Sequence, residues 1–154
     1  MVAAAHRPTP VESAETLPMW VEHRGGDQFD INVRGHLVRV DQPVKDGGED
    51  TAPTPTELLI ASFASCVAFY VRRYLARHDL PTDGLAVEAR FDMGAKPARV
   101  AGIDVRLIVP EGVPVERLDA LLAVATDCTV HNTLASEPEV SITLVNPSVV
   151  WSDR

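Results

Sequence analysis

TPTELLIASFASCVAFYV, residues 54–71, is the stretch on which the fold turns. Thr54 stands where a helix N-cap belongs, Pro55 at the first helical position and Glu57 three residues after the cap, so the segment opens with a capping box. From Leu58 to Val71 it is apolar on every side, the pattern of a helix buried all round. At 14 residues that run falls short of the roughly 20 needed to cross a bilayer. The helix should continue to about His78, with Arg72, Arg73, Arg77 and His78 near its negative end. One thin sheet covers only one side of such a helix. A second copy of the chain is the economical cover for the rest.

Upstream, a strand is expected through Met19–His23, closed by the turn Gly25-Gly26-Asp27. Phe29, Ile31 and Val33 then alternate with Asp30, Asn32 and Arg34, the period of a half-buried strand. Arg34-Gly35 turns into a third strand, Leu37 to Asp41, and the polar loop Gln42–Pro53 leads to the helix. Downstream, Leu85, Val87, Ala89, Phe91 and Met93 alternate with polar or small residues, as do Ile103, Val105, Leu107 and Val109. Pro114 opens a second helix with Val115, Leu118, Leu121, Leu122 and Ala125 on one face. That stripe fails at Asp127-Cys128-Thr129, which predicts a break and a short further helix. Val140, Ile142 and Leu144 alternate in an expected last strand. The order βββ-α-ββ-α-β is that of an α+β fold, with antiparallel strands around two central helices.

Length and charge narrow the function. A chain of 154 residues fits one domain, here 16–154, behind an Ala-, Pro- and Thr-rich segment 1–15 expected to be mobile. The net charge of −8 comes with no clustered basic face, which argues against nucleic acid and anionic membrane surfaces as partners. The segment MVAAAHRPTPVESAE has neither a basic n-region nor an apolar stretch of signal-peptide length, so a cytoplasmic location is expected. In that reducing compartment, two cysteines are expected to be free, redox-active or metal-binding rather than a permanent disulfide.

A cysteine in an apolar helix, as Cys66 is, most often serves as a small hydrophobe. Cys128 lies at the break between two helical segments, where unpaired backbone N–H groups could stabilise a thiolate. Taken together, Pro55-Thr56-Glu57-Leu58-Leu59 with Ala64-Ser65-Cys66 closely resembles the P-x-E-L-L…A-S-C segment of OsmC/Ohr-family, or OsmC-like, proteins. Asp127-Cys128-Thr129-Val130 resembles that family's second cysteine motif, and the loop Asp41-Gln42-Pro43 through Gly47-Gly48 is similar to its approach to the first. The resemblance spans residues 17–147. It implies an intertwined homodimer with reaction sites at the subunit interface. It also implies a thiol-dependent peroxidase acting on organic hydroperoxides. Cys66 would become a sulfenic acid, Cys128 would condense with it to a disulfide, and a dithiol such as dihydrolipoamide would restore both. No cofactor is implied.

The peroxidase branches lower the pKa of the first cysteine with an early arginine steadied by a glutamate. Arg24 and Arg39 both stand where such an arginine could. The position of the glutamate is taken by Thr56, and Glu57 follows one residue late. Nine residues of helix put Glu57 on the opposite face from Cys66, roughly 13 Å along the axis. A metal site built on Cys66, Cys128 and His131 lacks the familiar C-x-x-C or H-x₃₋₅-H spacing, and His131 reads as a surface or helix-end residue. The rival function is a non-catalytic dimeric module that binds a small hydrophobic or thiol ligand in the interface cleft.

Overall fold

The computed structural model describes residues 19–145; the segment 1–15 expected to be mobile lies outside the described residues. The chain divides between Leu58 and Leu59 into two compact units.

The first unit is an antiparallel meander of β1 (Met19–Gly25), β2 (Gln28–Val33) and β3 (His36–Val40), in that spatial order. Between Val33 and its partner His36 only Arg34 and Gly35 remain, and both take positive φ, 52° and 83°. Such two-residue turns match the twist of the strands they join. The side chain of Asn32 adds an acceptor for the Gly35 N–H at 3.2 Å.

The loop that follows is built on one carboxylate. Asp41 is fully buried. Its Oδ1 accepts the Gln42 N–H at 2.7 Å, and its Oδ2 accepts the Thr51 N–H at 3.0 Å and the Thr51 hydroxyl at 2.8 Å. The Glu49 N–H reaches the same carboxylate at 3.3 Å. The Thr51 N–H, the strongest of these influences, helps hold the Asp41 carboxyl down at about 2, against the opposing effect of burial. The chain packs so tightly here that a Cβ on Gly48 would stand 2.0 Å from the Gln42 carbonyl oxygen, so only glycine fits.

Helix α1 runs from Pro55 to Arg77. Its start is the expected capping box: the Thr54 N–H donates to Glu57 Oε2 at 2.7 Å and the Glu57 N–H to Thr54 Oγ1 at 3.1 Å. By length and composition alone this helix could also span a membrane. Val67, Val71 and Leu75, one turn apart, are buried in the core of the second unit with Leu121, Ala125 and Cys128. Leu59 and Phe69 on other faces of α1 are exposed.

The second unit adds a hairpin of β4 (Ala86–Ala95) and β5 (Ala98–Ile108). Val87 faces Leu107, Ala89 faces Val105 and Phe91 faces Ile103, so the apolar alternation read from sequence forms one side of the ladder. A bulge between Asp92 and Met93 then shifts the register, and Met93 ends exposed. On the polar side Glu88 binds Arg90 at 2.6 Å and Arg106 at 3.2 Å.

A 3₁₀ turn, Val115–Arg117, leads into α2 (Leu118–Thr126), which buries Leu121 and Ala125. The expected stripe is narrower than read, since Leu122 and Val115 are exposed. The predicted break falls at Asp127-Cys128, and α3 (Thr129–Ala135) follows.

One expectation fails within the chain. Val140, Ile142 and Leu144 form no strand among the described residues and stand 76, 92 and 85 % exposed. Alternation makes a segment fit for a sheet, but a strand also needs a neighbouring edge to take its N–H and C=O groups, and here it finds none among the described residues.

Candidate active site

Helix spacing sets Phe63, Cys66, Tyr70 and Tyr74 along one side of α1, all packed against the core beside the Val67–Val71–Leu75 stripe. Two of them meet the turn that begins α3. The Phe63 ring lies 5.6 Å from the His131 ring, and the Tyr70 hydroxyl hydrogen-bonds Thr129 Oγ1 at 2.8 Å. Cys66 packs against the core cluster that contains Cys128, near enough to influence that thiol.

The two thiols differ in environment. Cys66 is half-buried and Cys128 completely buried, and neither is in a disulfide. Cys128 is the N-cap of α3, its extended backbone letting Sγ accept the His131 N–H at 3.4 Å. Sequence reading expected such N–H groups to favour a Cys128 thiolate. Burial pushes the thiol up instead, and the neighbouring Cys66 pushes it the same way; the His131 and Val130 N–H groups oppose this and are outweighed. Cys128 is therefore held as a neutral thiol at neutral pH.

The two candidate arginines share one partner. Arg24 pairs with Asp30 Oδ2 at 3.2 Å, and Arg39 Nε donates to Asp30 Oδ1 at 3.0 Å. Asp30 is nearly buried between them, so the first unit brings Arg24 and Arg39 together around a single carboxylate. Glu57 is spent on the helix cap, as its position implied. No group of three or more His, Cys, Asp or Glu side chains able to hold a metal occurs among the described residues.

Sequence reading missed His131. It lies in the first turn of α3, as a helix-end residue would, but is half-buried, and its Nδ1 is enclosed without a hydrogen-bond partner among the described residues. It borders a cavity of about 620 Å³ with Leu59, Phe63, Ile103, Val105 and Leu134. The available signal was its place three residues after Cys128, where the cap of α3 fixes it. Only the packing of α3 on α1 shows that Phe63 meets it.

Comparison with known proteins places these features. Among solved structures, the fold matches a Psychrobacter arcticus protein assigned to osmotic stress induction and detoxification response. The TM-score is 0.73 at 20 % identity, covering 80 % of this chain and 91 % of that one. It also matches an OsmC-like protein of Mycoplasma pneumoniae, with a TM-score of 0.68 at 13 % identity over 81 % and 91 % of the two chains. An organic hydroperoxide resistance protein OsmC from Legionella pneumophila gives 0.59 at 20 % identity over 80 % and 93 %. No match is found among curated proteins. The model of the family described as OsmC-like protein matches residues 47–143, which include both cysteines, and the chain belongs to that family.

Proposed function

We propose that the protein is a cytoplasmic, homodimeric thiol peroxidase that reduces organic hydroperoxides. The observation that carries this reading is the nearness of the chain's two cysteines, the half-buried Cys66 of α1 packed against the core cluster that contains the buried Cys128 at the start of α3. The Cys66 thiolate attacks the terminal oxygen of R–O–O–H, the O–O bond breaks, and the alkoxide leaves and takes a proton to become the alcohol. Cys66 is thereby oxidised to the sulfenic acid and the peroxide reduced. The Cys128 thiol then attacks that sulfur, an S–S bond forms and water departs. A dithiol such as dihydrolipoamide reduces the disulfide by exchange. Arg24 and Arg39 are the residues proposed to favour the thiolate, and the Asp30 that binds both takes the steadying part that Thr56 cannot. Names of the matched Legionella pneumophila protein point the same way, since it is called an organic hydroperoxide resistance protein.

Homodimer formation is supported by what the chain leaves uncovered. Leu59 and Phe69 on α1, Trp20 and Leu37 on the meander, and the unpaired alternation Val140–Leu144 are all exposed apolar surface. The reading is tested by single substitutions treated with cumene hydroperoxide. Cys128→Ser should consume about one equivalent and leave a sulfenic acid that dimedone traps, while Cys66→Ser should do neither. Equal behaviour of the two variants would remove the assigned roles, and no thiol loss in the parent protein would leave the binding module as the function.

A further inference from the structure

We propose that Cys128 makes the first turn of α3 a redox-operated latch: its sulfur caps the helix while the thiols are reduced, and a disulfide takes that sulfur away and frees the turn. The inference rests on the Cys66–Cys128 disulfide of the peroxidase reading, but not on which oxidant forms the bond. Cys128 is the N-cap of α3, and its Sγ accepts the His131 N–H at 3.4 Å. The Val130 N–H acts on the same sulfur, so one atom serves both N–H groups that an N-cap side chain satisfies. That atom is also the one that must bond Cys66. A disulfide holds its Cβ–S–S–Cβ dihedral at about 85–100° in either hand, so in the oxidised pair Cys66, not the helix, sets where Sγ points. Sulfur is a weak acceptor even when well aimed, and a small turn removes it from the cap.

Little else holds the turn. α3 has seven residues and buries none of them, whereas α2 buries Leu121 and Ala125. A helix so short is marginal without its cap. Its first turn is tied to α1 by the Tyr70–Thr129 hydroxyl contact at 2.8 Å and by the rings of Phe63 and His131. Against these stands His131 Nδ1, enclosed with no hydrogen-bond partner among the described residues, a penalty that opening to water relieves. The freed turn has a use. Cys128 is completely buried, so its half of a disulfide is closed to an external dithiol while the turn stays in place. Oxidation thus opens the way to its own reversal, and reduction returns the sulfur to the cap.

The test compares amide hydrogen exchange, followed by NMR, in the full reduced protein and in the same protein oxidised with diamide. Diamide takes one hydrogen from each thiol onto its N=N bond, becoming the hydrazine, and leaves the S–S bond. In the disulfide form the His131 amide should exchange about five- to tenfold faster, the worth of one N-cap, while Val71 and Leu75 in α1 keep their protection. This needs no variant. Cys128→Ala, which has no cap, should show the fast His131 exchange without oxidant. Cys128→Ser, which keeps a capping oxygen and forms no disulfide, should stay protected with diamide present. Equal or slower His131 exchange in the disulfide form, or parent-like protection in Cys128→Ala, would overturn the proposal. Hydroperoxide turnover alongside either result would leave the peroxidase reading standing. Faster exchange on oxidation with no hydroperoxide consumed would do the reverse. Failure of diamide to join Cys66 to Cys128 would overturn both.

Discussion

At the scale of single residues, the proposed chemistry turns on two thiols, one of which raises the pKa of the other. Burial and the neighbouring Cys66 both raise the Cys128 pKa. A thiol raised on folding lends stability below its unfolded value of about 8.5 and loses it as pH climbs through the folded value, so Cys128 contributes to alkaline destabilisation. Removing Cys66 removes one of the raising influences. In Cys66→Ala, alkylation of Cys128, followed peptide by peptide in mass spectra, should begin at lower pH than in the parent. It should still lag a free thiol, because burial remains. An unchanged or higher onset would mean that the thiols do not interact. Both cysteines were legible in the sequence, since their flanking residues form motifs. The contact of His131 with Phe63 was not, because residues so far apart in the chain meet only when α3 packs on α1.

At the scale of elements, local chemistry was read well and long-range chemistry poorly. The capping box of α1 is a contact between residues three apart, so Thr54 and Glu57 announced it. The loop 42–53 looked merely polar, because nothing local says that Asp41 gathers the N–H groups of Gln42, Glu49 and Thr51. Gly48→Ala should destabilise the protein by about 1–3 kcal/mol, since the new methyl would collide with the Gln42 carbonyl and the loop must give way. Because the Asp41 carboxyl is held at about 2, its share of the loop's stability is complete above the unfolded value near 4 and fades as pH falls towards 2. The variant should therefore show its deficit in urea unfolding at neutral pH. A deficit near zero would mean that the loop is free to rearrange. The bulge at Asp92/Met93 was equally hidden, as alternation continues in the sequence where the ladder shifts.

At the scale of the whole molecule, the βββ-α-ββ-α order was legible and the last strand was not, because a strand's existence depends on a partner edge. The exposed Val140, Ile142 and Leu144 and the uncovered faces of α1 predict that light scattering across a dilution series will report twice the 16.7 kDa chain mass. Ile142→Asp should raise the dissociation constant at least about tenfold, as a charge placed in a buried interface does. A folded parent monomer at micromolar concentration would contradict the dimer. The central claim is that Cys66 and Cys128 act as one redox pair. Its most direct test is mass spectrometry of the reduced protein after one equivalent of an organic hydroperoxide. The pair predicts loss of two hydrogens and a peptide joining Cys66 to Cys128; both thiols recovered intact would contradict it.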